Sequence, residues 1–222
     1  MSTVLILGAS RGIGLEFARL YLEAGERVIA TARSDADLAR LQNMGAETLR
    51  VDVADATSVS GLSWQLDGEK LDLALYVAGV MDRSSAATTP TQLEFDRVMH
   101  TNVLGAMQVM PQVLPWVENA EGVFGVLSSS MSQIGRVPAS NAWLYRVSKA
   151  ALNMAVSSAR FDYPKARLVA LDPGWVQTDM GGADAPLTLT QSVSGLREVL
   201  ENLAPEDNGR LIHHDGRRAA TW

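Results

Sequence analysis

Thr3-Val4-Leu5-Ile6-Leu7 passes without a break into Gly8-Ala9-Ser10-Arg11-Gly12-Ile13-Gly14, and a helical pattern begins inside that glycine segment. The apolar run reads as a buried strand. Glycine permits a tight turn and lets a ligand approach bare backbone N–H groups, while the helix that starts there aims its positive end at the same point. Ile13, Phe17, Leu20, Tyr21 and Ala24 then recur at helical spacing. Strand, glycine turn and helix in this order form the context in which a dinucleotide pyrophosphate is held; the plainer alternative is an ordinary glycine-rich turn.

The rest of the chain repeats the same alternation. Short β-like runs at residues 3–7, 27–32, 47–51, 72–76, 122–128 and 167–171 are separated by helical patterns at about 13–24, 35–43, 55–65, 91–118 and 142–160. A helix at about 188–202 and a last strand at 210–213 complete the pattern. Alternating strands and helices predict an α/β fold, a three-layer doubly wound parallel sheet of Rossmann type, with its crevice beyond the carboxyl ends of the strands. Within 91–118, Val103, Met107, Met110, Leu114 and Val117 form the expected core stripe, with a kink at Pro111. A length of 222 residues, 47% hydrophobic, suits one such domain spanning 1–222, and residues 173–186 read as a long functional loop.

Charge and cysteine content exclude several functions. With 19 Lys+Arg against 25 Asp+Glu the net charge is -6, so neither nucleic acid nor an anionic membrane is an expected partner. The absence of cysteine excludes disulfides, thiolate metal sites and cysteine nucleophiles. No metal site is expected: His213 and His214 adjoin on a strand end, point to opposite faces and read as surface residues. The first residues lack a basic, then apolar, leader and no apolar segment reaches about 18 residues, so a cytoplasmic location is expected.

Two positions bear on cofactor choice. Strand 27–32 ends in Arg33-Ser34, where an NAD-selective crevice places a carboxylate for the ribose 2′-hydroxyl. Arg33 can instead clamp a 2′-phosphate and stack on adenine, with Arg11 as a second cation; its alternative is a solvated strand-end residue. NADP(H) is therefore expected over NAD(H). Asp52, after Leu49-Arg50-Val51, can accept from the adenine amino group or cap a loop.

Chemistry is concentrated in Tyr145-Arg146-Val147-Ser148-Lys149. Residues four apart share a helix face, so the Lys149 ammonium can sit near the Tyr145 phenol and favour its ionised form, giving an acid or base usable near neutral pH. Ser128, Ser129 and Ser130 end the strand Val123-Phe124-Gly125-Val126-Leu127 and offer a hydroxyl to a carbonyl oxygen. Asn102, expected at the start of the long helix, can position a water that links the lysine to solvent. Taken singly, each of these residues is equally at home in an ordinary helix, loop or cap.

In order and spacing the chain resembles the short-chain dehydrogenase/reductase family over essentially its whole length. The resemblance rests on the glycine segment, Asp52-Val53, Asn102-Val103, the serine run, Tyr145 to Leu152, and Pro173-Gly174-Trp175-Val176-Gln177-Thr178. Tyr145-Arg146, Asp172 to Gly182, and the ending Asp215-Gly216 with Trp222 are most similar to the small carbonyl-reductase branch of sniffer and C-factor type. The resemblance implies a seven-stranded sheet and a catalytic set of Ser129, Tyr145, Lys149 and Asn102. It implies a cofactor site built from Gly8, Ser10, Arg11, Gly12, Ile13, Gly14, Arg33, Asp52, Val53, Ala78, Gly79, Tyr145, Lys149, Pro173, Gly174, Val176 and Thr178. It also implies a homodimer or homotetramer. Carbonyl reduction follows: Ser129 holds the carbonyl oxygen, Tyr145 gives the proton, Lys149 holds the ribose hydroxyls, Pro173-Gly174 and Val176 order the nicotinamide, and Thr178 reaches the carboxamide.

Three departures from the family pattern stand out. Val77-Ala78-Gly79 replaces Asn-Ala-Gly, and Leu7 stands where threonine is common. The usual serine-to-tyrosine gap selects Ser132, whereas the strand end selects Ser129, with Ser130 next in line. Met131, Trp143, Met180 and the loop through Pro186 are expected to line an apolar mouth, with a core or interface role as the equal alternative for each. A nonenzymatic NADP-binding sensor on the same fold is the alternative function. A nucleotide-sugar epimerase is disfavoured because only some forty residues follow Thr178.

Overall fold

A computed structural model describes residues 1–220; Trp222 lies outside the described residues. Seven strands form one parallel sheet: β1 (Thr3–Leu7), β2 (Arg27–Ala32), β3 (Glu47–Arg50), β4 (Leu73–Tyr76), β5 (Val123–Leu127), β6 (Arg167–Asp172) and β7 (Leu211–His213). Their order is β3-β2-β1-β4-β5-β6-β7, so the chain reverses its direction of travel between β1 and β4. That reversal opens a crevice at the carboxyl ends. The strand limits agree with the sequence expectation to within a residue or two.

Alternation along each strand explains the three layers. In β1, Leu5 and Leu7 pack with α3 (Ala56–Ser60), α6 (Gly105–Glu118) and α7 (Trp143–Ala159), while Val4 and Ile6 pack with α1 (Gly12–Glu23), α2 (Asp35–Asn43) and α8 (Leu189–Glu201). Leu168 and Ala170 of β6 share the first face, Val169 and Leu171 the second. Both faces are dry, as a parallel sheet requires.

Two helical expectations change. The 55–65 segment divides at Gly61 into α3 and α4 (Leu62–Gln65). The 91–118 segment divides into α5 (Gln92–Met99), a π turn at His100–Leu104, and α6, so Asn102 lies inside a π turn and not at a helix start. Helical geometry runs unbroken through Pro111 and Pro115; the irregularity falls at the π turn. A physical cause is visible. The Tyr76 hydroxyl donates to the Thr101 carbonyl at 2.6 Å, competing with the helical ladder, and a Cβ on Gly105 would come within 2.4 Å of the Val53 carbonyl. The extra residue rotates the following turns, and Met107 is 52% exposed while Ala106, Val109, Met110 and Val113 are buried.

Candidate active site

The segments singled out in the sequence converge on one cavity of about 1110 Å³ at the carboxyl ends of the strands. Its floor is the glycine loop. Gly8 has φ 93°, and a Cβ there would sit 2.8 Å from the Ala78 nitrogen; a Cβ on Gly14 would lie 2.2 Å from the Gly8 carbonyl oxygen. Neither position tolerates a side chain. Behind the loop, α1 begins with no side-chain cap and no acidic residue in its first turn, which leaves its N–H groups and dipole for an anion. Leu7, in place of the family's threonine, is buried, and the hydroxyl contact to the loop comes instead from Thr31, whose Oγ1 accepts from Gly8 N at 3.0 Å.

At one end of the cavity Arg33 extends from β2, 74% exposed, with its guanidinium 3.6 Å from Asp52 Oδ2. Asp52 also accepts from Ala54 N at 3.0 Å, so loop capping and a place in the cavity wall coexist. Arg11 forms an ion pair at 2.9 Å with Asp179 on the facing loop. Ser10, Gly12, Ile13 and Val53 complete this end. Arg40, which the sequence did not single out, reaches from α2 to the Ser10 carbonyl.

At the other end, α7 presents Tyr145 and Lys149 on one face, both buried. The Lys149 ammonium is 5.6 Å from the centre of the Tyr145 ring and donates to the Leu127 carbonyl at 2.6 Å. Burial pushes the Tyr145 phenol up to about 12, with the Ser129 side chain as hydrogen-bond partner pulling the other way and the Asp172 carboxylate adding to the rise. Burial also brings Lys149 down to about 8. Desolvation is the largest influence on the phenol, ahead of the Ser129 hydrogen bond and the Asp172 charge.

The serines separate by partner. Ser128 donates to Asn153 Oδ1 at 2.6 Å; Asn153 Nδ2 donates to Ser132 Oγ at 2.7 Å, and Ser132 donates to the Ser129 carbonyl at 2.6 Å. Ser128 and Ser132 are therefore occupied in bracing the loop. Ser129 sits beside Tyr145 in the cavity wall, and Ser130 is exposed at the rim. Asn153 was missed in the sequence, although Tyr145, Lys149 and Asn153 fall at successive spacings of four on one helix face.

Asn102 is fully buried. Its Oδ1 accepts from Val80 N at 2.8 Å, and its Nδ2 donates to the Val80 carbonyl at 2.8 Å and to Ser148 Oγ at 2.9 Å. Gly79 lies against it: a Cβ there would be 3.4 Å from Asn102 Oδ1 and 3.5 Å from Lys149 Nζ. Val77 donates through its backbone to Leu7 O and packs against the α1 side of the core, so a hydrogen-bonding side chain is replaced by an apolar contact.

Pro173, Gly174, Val176 and Thr178 form the wall opposite the glycine loop, with the Thr178 methyl group 3.8 Å from the place of a Cβ on Gly12. Met131 and Met180 line the mouth, joined by Met81 and Trp175; Trp143 and Pro186 lie outside the lining. The surface assignment of His213 is corrected. His213 stands in register with Asp172 on the neighbouring strand, and its Nδ1 is 2.6 Å from Asp172 Oδ2, both side chains being buried. His214 points the other way, against Gly174 and Gly195, in agreement with the alternation expected of the pair.

Residues 2–186 match the family described as short chain dehydrogenase. The 1-hydroxy-2-glutathionyl-2-methyl-3-butene dehydrogenase of Rhodococcus sp. (strain AD45) is 35% identical over 228 residues, covering 97% of this chain and 98% of that protein. Among solved structures, the carbonyl reductase Sniffer of D. melanogaster superposes with a TM-score of 0.92 at 25% identity, covering 100% of both chains. A carbonyl reductase from Pseudomonas aeruginosa PAO1 in complex with NADP superposes with a TM-score of 0.83 at 28% identity, again covering 100% of both chains.

Proposed function

Because this chain belongs to the short-chain dehydrogenase family of oxidoreductases, we propose that it reduces an aldehyde or ketone to an alcohol with NADPH, the whole chain acting as one domain. The observation that carries this is the buried phenol of Tyr145, set beside Ser129 and Lys149 in the same cavity as the glycine loop. The residues present suit NADP(H). The uncapped start of α1 and the loop N–H groups would receive the pyrophosphate, Arg33 with Arg11 the 2′-phosphate, Asp52 and Val53 the adenine, Ala78, Gly79 and Lys149 the ribose beside the nicotinamide, and Pro173 to Thr178 the nicotinamide. NADPH, when bound, supplies the hydride to the carbonyl carbon.

The protein's own groups handle the proton. Ser129 donates a hydrogen bond to the carbonyl oxygen, and Tyr145 transfers its phenolic proton to that oxygen as charge develops there. The phenolate left behind is stabilised by the Lys149 ammonium. Asn102 contributes by position: it fixes Val80 and Ser148 next to Lys149, its amide being committed to both. Apolar side chains exposed on α6 and α7, including Met107, Val147 and Met154, support assembly as a homodimer or homotetramer. No helix among the described residues is long and apolar enough to cross a membrane.

Purified protein, NADPH and a panel of aldehydes and ketones test the proposal through the loss of NADPH absorbance. Reduction of at least one carbonyl class is expected. Tight NADPH binding with no turnover across the panel would favour the sensor alternative.

A further inference from the structure

The cavity is electrostatically unlike the protein that contains it. The chain carries a net charge of -6, yet the charged residues lining the cavity are four cations, Arg11, Arg33, Arg83 and Lys149, against two carboxylates, Asp52 and Asp179. Three of the cations are accounted for by the proposed cofactor. Arg83 is not.

Arg83 belongs to the segment between β4 and α5 and reaches across the mouth to donate one N–H to the Met180 carbonyl at 2.6 Å. No carboxylate among the described residues pairs with it. Its neighbour Asp82 is occupied by Ser84, and Asp179 by Arg11. Arg83 is exposed, and its other donors have no further partner among the described residues; the same cavity lining holds Met81, Met131, Trp175 and Met180, with Asp179 committed to Arg11. An apolar wall with a single fixed cation is complementary to an apolar body ending in one anionic group. A planar guanidinium presents two parallel donors to the two oxygens of a carboxylate, and one cation balances its single charge.

We propose that Arg83 is the anion-binding residue of the substrate subsite, and that the substrate is an aldehyde or ketone carrying a carboxylate away from its carbonyl. This rests on the carbonyl-reductase reading above. The carboxylate docks on Arg83, the linker lies on the methionines and Trp175, and the carbonyl is thereby presented to Ser129 and Tyr145.

The test compares 4-formylbenzoate with its uncharged methyl ester, in the wild type and in Arg83→Gln, Arg83→Lys and Arg83→Glu. In the wild type kcat/KM for the carboxylate is expected to exceed that for the ester by about tenfold, the lower range for a charge-assisted pair at a partly exposed site. The ratio should fall to about one in Arg83→Gln, persist in part in Arg83→Lys, and drop below one in Arg83→Glu; added salt should shrink it in the wild type. A second measurement separates this subsite from the reaction. Protein saturated with NADP⁺ is titrated with 4-(hydroxymethyl)benzoate and its methyl ester, and the carboxylate should bind more tightly only when residue 83 is cationic. Turnover of both aldehydes with a ratio near one in the wild type overturns the subsite and leaves the reductase reading intact. No turnover of either, nor of any carbonyl in the wider panel, with an Arg83-dependent preference in binding, sustains the subsite and removes the reductase reading. No preference in binding overturns the subsite whatever the turnover.

Discussion

Lys149→Met should make the cofactor-free protein more stable near neutral pH while disabling it. Lys149 is 3% exposed, and burial lowers its pKa from the ordinary 10.5 to about 8. At pH 7 the folded state must hold an ammonium that burial disfavours, and at about 1.4 kcal/mol per pKa unit this costs about 3 kcal/mol. Methionine is close in length and shape and carries no charge, but it leaves the Leu127 carbonyl without its donor, a loss of about 1 kcal/mol. The net gain is about 2 kcal/mol, or roughly 4 to 8 °C in Tm for a chain of this length. The pH dependence has a definite sign. Between about 8 and 10.5 the unfolded lysine is protonated and the folded one is not, so wild-type stability rises with pH across that window, whereas the variant lacks this rise. By pH 10 the cost in the wild type has shrunk to about 1 kcal/mol and the two proteins should have nearly equal stability. Urea unfolding of both at pH 7 and pH 10, without cofactor, measures the difference. A variant less stable than wild type at pH 7, or a gap that does not close by pH 10, would refute the assignment of a costly buried ammonium.

Arg33→Ala should weaken NADPH binding by about 10- to 100-fold and NADH binding little, because only one of the two carries the 2′-phosphate; titration of both cofactors decides it, and equal losses would remove Arg33 from the phosphate site. Ser129→Ala should lower turnover by about two orders of magnitude and cost about 0.5 to 2 kcal/mol of stability, because its Oγ also accepts from Met131 N. Ser132→Ala should destabilise the fold by about 1 to 3 kcal/mol through the orphaned Asn153 amide while largely preserving turnover. The opposite ranking of the two serines in kinetics would place the reacting hydroxyl on the wrong residue.

The sheet and its crevice were legible in the sequence because buried parallel strands read as continuous apolar runs, and because Gly8 and Gly14 occupy positions where the backbone forbids a side chain. That Tyr145 and Lys149 share one helix face was legible through their spacing of four, while their roles came from the order of the motifs around them. The π turn was not legible. It arises from the Tyr76 hydroxyl and the close approach of Gly105 to Val53, contacts between residues at least 25 positions apart that leave no local periodicity. The burial of His213 likewise depends on register with Asp172, 41 residues away. Nor did the spacing of Tyr145 and Lys149 reveal which effect sets the phenol's acidity; that required knowing how deeply both are buried. Arg83 carries no motif and becomes visible only when its neighbours' carboxylates are seen to be occupied.

Tyr145→Phe probes the proton donor most directly, since it keeps the ring and its packing and deletes the hydroxyl. NADPH affinity and melting temperature should stay close to wild type, while kcat/KM for carbonyl reduction falls by about 10² to 10⁴. A Tyr145→Phe protein that binds NADPH normally and reduces the same carbonyl at the wild-type rate would contradict the role given to this phenol.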